Sequence, residues 1–150
     1  MTTGSTITSS KTAGYFFEDL QVGQTATLSK TITEADILMY AAVSMDMNPI
    51  HLDEETAAQS RFGGRIAHGM LSAGLISAVL GNHLPGPGTI YLQQSLTFRA
   101  PVKIGSTVRA TVEITDLNPA KKRATLRTIC RVKETVVIDG EASVLVPSRA

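Results

Sequence analysis

The stretch IAHGMLSAGLISAVLGN, residues 66–82, decides the fold of this 150-residue chain. It contains no Asp, Glu, Lys or Arg, and its apolar residues fall on every side of a helical wheel. A helix that is apolar on every side has to be buried on every side. A membrane span needs about 20 predominantly apolar residues, whereas Ser72 and Ser77 interrupt this stretch and Pro85 follows it. The stretch therefore predicts a long helix in the core of a soluble domain.

The start of this helix is a candidate binding site for negative charge. Gly63 and Gly64 precede it and allow left-handed or closely approached backbone. His68 and Gly69 lie where the first N–H groups of the helix have no partner within it. Such groups point outward and favour an anion or an oxyanion. We therefore expect this end of the helix to take part in function.

The composition is that of one nearly neutral domain. With 14 Lys and Arg against 13 Asp and Glu, the chain has no overall basic field to hold nucleic acid or an anionic membrane. We therefore expect neither partner, and any anionic ligand must be bound locally. Residues 1–14 are rich in Ser, Thr and Gly and lack the apolar region of a secretory signal. We expect them to form a flexible tail before a single domain of residues 15–150.

Cys130 is the only cysteine and so cannot form a disulfide within the chain. It lies in a segment that alternates like a strand, which predicts a buried structural thiol rather than a nucleophile. A reducing cytoplasm fits this cysteine usage.

Short elements are predicted before the central helix. The alternating segment TATLSKTI, residues 25–32, predicts a first strand. Thr33 and Asp36 have the spacing of a capping box and predict a helix that runs to about Ala42. Asp53 is a suitable N-cap for a further helix over residues 54–60.

From residue 89 the hydrophobic period changes from helical to two. Strands are predicted over residues 89–100, 123–133 and 135–146, and Asp139-Gly140 predicts a turn inside the last of them. Another strand has apolar residues at alternate positions, namely Val108, Ala110, Val112 and Ile114. One long helix followed by antiparallel strands predicts an α+β fold with the sheet curled around the helix. A second copy of the chain could extend an exposed edge of such a sheet.

Three polar residues that suit proton transfer lie close together: Asp46, Asn48 and His51. Pro49 is expected to keep this segment from being helical and to hold Asn48 in extended backbone, so that Asp46 and His51 turn toward a common side. A carboxylate and an imidazole that share one water can take a proton from it and deliver one elsewhere. The alternative is that Asp46 and Asn48 only turn the chain and that His51 is structural.

The segment YAAVSMDMNPIH, residues 40–51, with Ala57 beyond it, resembles the hydratase 2 motif of the MaoC-like (R)-specific enoyl-CoA hydratases. It departs from that motif at Met45, where the motif usually has Gly, and the departure concerns the local backbone angle. The segments RIAHGML, residues 65–71, and YLQQSLTFRAPV, residues 91–102, resemble the family's central-helix start and the strand after it.

The resemblance implies a hot-dog fold and reversible hydration of a trans-2-enoyl-CoA to an (R)-3-hydroxyacyl-CoA, without a cofactor, by a homodimer. By the same resemblance, Asp46 and His51 would be catalytic and Asn48 would position the water or the loop. The backbone N–H of Gly69 would receive the thioester oxygen. These roles suit the chemistry, because water that adds to the β-carbon pushes charge onto that oxygen, and a donor fixed at the positive end of a helix stabilises it.

Further residues have two interpretations each. The resemblance places Ser77 and Leu80 in the acyl pocket, while a helical serine often bonds a preceding carbonyl. His68 either caps the helix or contacts substrate. Arg123, in a basic cluster, either holds CoA phosphates or lies in a solvated turn. The spacing of the histidines does not favour a metal site.

Rival functions are also compatible with the sequence. The same chemistry could act on an acyl-carrier-protein thioester or on a branched or dicarboxylic acyl-CoA. A thioesterase is a second rival, because function depends on the site rather than on the fold. A non-catalytic acyl-CoA-binding subunit is the rival of another class, and the presence of Asp46, Asn48 and His51 together argues against it.

Overall fold

The computed structural model of the protein describes residues 13–150, so nearly all of the expected tail lies outside the described residues. After a 3-10 turn at Phe17–Asp19, the helices are α1 Glu34–Ser44, α2 Pro49–Leu52, α3 Glu54–Ala58 and α4 Gly69–Asn82. The strands are β1 Thr25–Thr31, β2 Ile90–Gln94, β3 Thr97–Phe98, β4 Thr107–Asn118, β5 Arg123–Val132 and β6 Thr135–Leu145.

The strands form one antiparallel sheet, and the predicted α+β arrangement is confirmed. The strand order is β1-β4-β5-β6-β2, and β3 pairs with β6 beyond the end of β2. Helix α4 packs against β1, β4 and β5. The predicted alternation in β4 is also confirmed, because Val108, Ala110, Val112 and Ile114 are all fully buried on the helix side. The sheet is open, so β1 and β2 are its edges.

Helix α4 is the central element, but two features differ from the prediction. It begins at Gly69, because Ile66 pairs with Lys103 and the Ala67 N–H donates to the Val102 carbonyl. It is also buried on one side only, since the sheet covers that side. The uncovered stripe consists of Met70, Gly74, Ser77 and Gly81. No helix among residues 13–150 has the length and apolar character needed to span a membrane.

Both predicted helix caps are confirmed. The Thr33 side chain accepts the Asp36 N–H, and Asp36 accepts the Thr33 N–H in return. Helix α1 continues to Ser44, two residues further than predicted. The Asp53 carboxylate accepts the Glu55 N–H at the start of α3.

The strand predictions were partly wrong. Residues 89–100 form two strands instead of one, because the pairing with β6 is interrupted around Ser95 and Leu96. The turn predicted at Asp139-Gly140 is absent from the structure: β6 passes straight through both residues, and Gly140 pairs with Thr128. A Cβ atom on Gly140 would overlap the carbonyl oxygen of Ser95. Glycine is therefore needed there for a close backbone approach and not for a turn.

Cys130 is unpaired and fully buried in β5, as predicted for a structural thiol. Burial raises the pKa of the Cys130 thiol to about 11, so the thiolate that nucleophilic chemistry requires is scarce near neutral pH.

Candidate active site

The loop that carries Asp46 is shaped by the residues on either side of it. Helix α1 ends at Ser44, and its C-cap, Met45, has a φ of 65° in the left-handed region. Met45 is the position at which the motif usually has glycine. The prediction that Pro49 prevents a helix was wrong, because Pro49 is the first residue of α2. Proline suits that position because its missing N–H would have no helical partner there. Asn48 has φ −55° and ψ 127° and caps α2 through its side chain, which accepts the Ile50 N–H.

His51 is held by its backbone surroundings in one tautomer. Its side chain is buried, and Nδ1 lies 2.8 Å from the Ile66 carbonyl oxygen. Because a carbonyl oxygen can only accept, Nδ1 carries the proton of this bond. The lone pair of Nε2 is then available to accept a proton. Arg65 supports the residue from behind: its Nε donates to the His51 carbonyl at 2.7 Å, and its Nη1 lies 2.8 Å from the Glu34 carboxylate.

Asp46 and His51 converge, as the hypothesis of a shared water requires. One carboxylate oxygen of Asp46, one ring nitrogen of His51 and one of His68 all lie within 4.8 Å of one another. A water molecule that hydrogen-bonds two groups at ordinary distances spans such a separation. One Asp46 oxygen also accepts the Asn48 N–H at 3.3 Å, which helps to fix the carboxylate. The arrangement can therefore polarise one water from two sides.

His68 does not cap α4, although that was one of its two predicted roles. It occupies the N-cap position, but its side chain makes no cap hydrogen bond. Instead Nε2 lies 2.9 Å from the Asp46 carbonyl oxygen. The ring stacks on His51 with centroids 3.8 Å apart, and its centroid lies 4.7 Å from that of the Tyr40 ring.

Gly69 and His51 line the same cavity. The cavity has a volume of about 360 Å³, and its wall includes Gly69, Ser72 and Phe98. Because Gly69 is the first residue of α4, its N–H has no acceptor within the helix. A Cβ atom at this position would lie 2.5 Å from the Phe98 ring, so the close approach of Phe98 requires glycine. The Gly69 N–H therefore lies at the positive end of the helix without a partner inside the helix.

Ser77 and Leu80, both placed in the acyl pocket by the resemblance, lie in different surroundings. Ser77 lines a largely apolar groove of about 410 Å³ between α4 and β2, together with Met70 and Leu96. Leu80 is buried in the hydrophobic core and is not among the residues that line the groove. Of these two residues, Ser77 is therefore placed to contact a ligand in the groove and Leu80 is not.

Arg123 lies far from the two catalytic candidates within one subunit. It begins β5 opposite Asn118 and Leu145, whereas Cys130 of the same strand contacts the Ser72 carbonyl near the start of α4. At about 3.3 Å per residue, Arg123 and Cys130 are about 20 Å apart along β5.

Two arginines that the sequence analysis missed line the cavity of His51, namely Arg61 and Arg99. Arg99 forms an ion pair with Asp139 at 3.2 Å, while Arg61 lies over the Phe62 ring. The available signal was the position of Arg61 shortly before the glycine pair and of Arg99 within the segment 91–102. Only the folded chain brings them to one cavity.

The cluster of Asp46, His51 and His68 is poorly arranged for a metal ion. His51 Nδ1 and His68 Nε2 both bond carbonyl oxygens, and the two rings are stacked with an interplanar angle of 28°. Imidazole lone pairs lie in the ring plane, so nearly parallel stacked rings do not direct them at one point. The geometry suits proton transfer better than coordination.

Comparison with known proteins gives consistent matches. Residues 18–138 match the family described as MaoC like domain. The chain is 59% identical to the (R)-specific enoyl-CoA hydratase of Rhodospirillum rubrum over 90% of this chain and 94% of that protein. It is 53% identical to the 3-hydroxybutyryl-CoA dehydratase of Methylorubrum extorquens over 89% of this chain and 85% of that protein.

A solved structure supports the fold assignment. The (R)-hydratase from A. caviae involved in PHA biosynthesis superposes with a TM-score of 0.84 at 46% identity, over 87% of this chain and 99% of that one. The hot-dog fold implied by the sequence resemblance is confirmed by this likeness.

Proposed function

The chain belongs to the MaoC-like domain family, and on that premise we propose that it is an (R)-specific enoyl-CoA hydratase. As a hydro-lyase it adds water reversibly to a trans-2-enoyl-CoA and gives the (R)-3-hydroxyacyl-CoA. The observation that carries the proposal is the convergence of an Asp46 carboxylate oxygen and a His51 ring nitrogen within 4.8 Å, beside a cavity that contains Gly69.

The paired side chains activate the water. With the proton on Nδ1 bonded to the Ile66 carbonyl, His51 presents Nε2 as an acceptor, and the Asp46 carboxylate accepts a second hydrogen bond from the same water. The oxygen of this water attacks the β-carbon, and the pair returns a proton to the α-carbon on the same face. Positioned acid and base groups of this kind typically contribute about 10²- to 10⁴-fold to a rate.

The Gly69 N–H stabilises the charge that this attack creates. Addition at the β-carbon moves negative charge onto the thioester oxygen, which becomes enolate-like. A backbone donor fixed before the reaction costs no reorganisation when the charge appears. The position of Gly69 as the first residue of α4 adds the favourable field of the helix N-terminus.

The acyl chain is expected to lie along α4, with Ser77 at its side. The groove lined by Met70, Gly74, Ser77 and Leu96 supplies an apolar surface next to the catalytic end of the same helix. Part of that groove is open to one side in a single subunit, because the stripe Met70, Gly74, Ser77 and Gly81 is uncovered.

The active protein is proposed to be a homodimer joined along β2. Ile90 and Leu92 of this edge strand are 55% and 43% exposed, and the strand carries no charged residue. An uncharged apolar edge invites pairing with another strand, whereas Lys30 protects the other edge, β1. A second copy there would also cover the open stripe of α4.

The unpaired buried Cys130 is consistent with a location in the reducing cytoplasm. There the protein would act on acyl-CoA intermediates of fatty acid metabolism.

A direct assay tests the function. Crotonyl-CoA absorbs through its conjugated double bond, so hydration removes that absorbance without releasing a thiol. We expect the absorbance to fall, no free CoA to appear, and chiral analysis to give (R)-3-hydroxybutyryl-CoA.

Other outcomes of the same assay identify the rival functions. Release of free CoA would indicate a thioesterase, and binding with neither signal would indicate a non-catalytic subunit. A much faster reaction with crotonyl-acyl-carrier protein than with crotonyl-CoA would identify the acyl-carrier-protein dehydratase.

A further inference from the structure

His68 is a histidine that faces away from the helix it precedes. It occupies the N-cap position of α4 and its side chain is 1% exposed. An N-cap side chain normally accepts an N–H of the first helical turn, but the His68 ring makes no such bond. The N–H groups of the first turn of α4 therefore receive no hydrogen bond from His68, and the ring has another role.

The ring donates to the backbone of the residue proposed to be catalytic. Nε2 lies 2.9 Å from the Asp46 carbonyl oxygen, and since that oxygen can only accept, Nε2 carries the proton of the bond. The opposite nitrogen, Nδ1, is buried and has no hydrogen-bond partner in the described part of the chain. A buried imidazole with one nitrogen unsatisfied is costly, so the bond to Asp46 is the feature that accounts for histidine here.

This bond connects residues 45–48, here called the catalytic loop, to a segment that is distant in sequence. Among residues 13–150, the other hydrogen bonds of residues 45–48 are local: Asp46 N–H to the Ser44 hydroxyl, Asn48 N–H to the Asp46 carboxylate, and the two bonds that Asn48 accepts at the start of α2. His68 lies 22 residues away in sequence. It thus ties the loop to the start of α4, where Gly69 is the next residue.

The same ring also supports His51. The two imidazoles stack with centroids 3.8 Å apart and an interplanar angle of 28°. Tyr40 of α1 also contacts His68, with ring centroids 4.7 Å apart. One buried ring therefore contacts the backbone of Asp46 and the face of His51 at once.

We infer that His68 is a positioning residue, which sets the distance between the Asp46 carboxylate and His51 by holding the Asp46 carbonyl while its ring face supports the imidazole. This inference rests on the proposed function. A displacement of about 1 Å in a reacting group can cost about 10²-fold in rate, so loss of this bond should lower kcat more than it raises KM.

The test compares two substitutions with a matched control. His68→Phe keeps a flat ring for stacking but removes the donor, while His68→Gln places an amide nitrogen close to the position of Nε2. We expect His68→Phe to lower kcat for crotonyl-CoA hydration about 10- to 100-fold with KM nearly unchanged. We expect His68→Gln to recover most of that loss. His83→Phe makes the same change at an exposed position at the other end of α4 and should leave activity unchanged.

A second measurement reads the bond without turnover. The ¹³C resonance of the Asp46 carbonyl depends on the hydrogen bond that it accepts, so it should shift in His68→Phe and stay near its wild-type value in His68→Gln. Wild-type kcat in a folded His68→Phe protein, or a folded His68→Gln protein as impaired as His68→Phe, would overturn the inference. Failure of wild-type protein to hydrate crotonyl-CoA would refute the proposed function instead, and an unchanged Asp46 carbonyl resonance in His68→Phe would still refute the positioning role.

Discussion

Met45 is the residue at which the chain leaves α1 for the catalytic loop, and it does so in a left-handed conformation with φ 65° and ψ 12°. For a residue with a Cβ atom this conformation costs about 1–2 kcal/mol. The Met45 side chain is 82% exposed, so packing within the subunit recovers little of that cost. Methionine in place of the motif's glycine therefore lowers the stability of the subunit, and it leaves the polar side chains of the site in place.

Met45→Gly should stabilise the subunit. Glycine removes the left-handed strain but adds freedom to the unfolded chain, which costs about 0.5–1 kcal/mol. We expect the net free energy of unfolding, measured by urea denaturation, to rise by roughly 0.5–1 kcal/mol.

Ala42→Gly is the matched control for this substitution. Ala42 is an exposed residue inside α1, where glycine should lower the free energy of unfolding by about 0.5–1 kcal/mol. Shifts of the same sign in both variants would contradict the explanation based on backbone strain.

At the scale of elements, strand β6 is distinguished by a close contact with Ser95, which lies in the segment between β2 and β3. Ser95 and Glu141 exchange hydrogen bonds through the Ser95 N–H and the Ser95 hydroxyl, and the Ser95 carbonyl lies directly over Gly140. The strand has no room for a side chain on that face at Gly140.

Gly140→Ala should therefore be strongly destabilising. Inserting one methyl group against fixed backbone usually costs about 1–3 kcal/mol, and here the backbone of β2 or β3 would have to move. We expect a fall of at least about 2 kcal/mol in the free energy of unfolding.

The control is the same change in helix α4. A Cβ atom on Gly81 would have no contacting atom of the same subunit within 4 Å, so Gly81→Ala should stabilise an isolated subunit by about 0.5–1 kcal/mol. A Gly140→Ala protein as stable as wild type would show that the close approach to Ser95 is not maintained in solution.

These elements also show what could be predicted from sequence and why the rest could not. The caps at Thr33 and Asp53 and the alternation of β4 depend on residues a few positions apart, so local patterns predicted them. Gly140 was misread because Ser95, which explains it, lies 45 residues away. Pro49 was misread for a different reason: a proline that breaks a helix interior is also a favourable first helical residue.

The candidate site shows the same division. The convergence of Asp46 and His51 was expected from one loop, whereas Arg61, Arg99 and the bond from His68 to Asp46 depend on the packing of distant segments. Composition and periodicity contain no trace of those contacts.

At the scale of the whole molecule, the two sheet edges differ in a way that predicts the assembly. Edge β1 carries Lys30, while edge β2 exposes Ile90 and Leu92 beside the uncovered stripe of α4. The prediction of a helix buried on every side fails for one subunit, and pairing along β2 would restore it, because the partner would cover the open side.

Leu92→Lys should therefore convert a dimer into a monomer. A charge on the paired edge opposes strand addition, so the mass measured by light scattering should fall from twice the chain mass to the chain mass. Thr25→Lys places the same charge on exposed edge β1 and should leave the dimer intact. Dissociation by Thr25→Lys, or a dimeric Leu92→Lys protein, would argue against pairing through β2.

The catalytic roles proposed for Asp46 and His51 are tested most directly by the rate of crotonyl-CoA hydration in Asp46→Asn and His51→Ala proteins that are folded and assembled like wild type. Asparagine keeps the side-chain oxygen that accepts the Asn48 N–H but removes the carboxylate, and alanine removes the imidazole. We expect each substitution to lower kcat by about 10²- to 10⁴-fold. Near-normal rates in either protein would contradict the assigned roles.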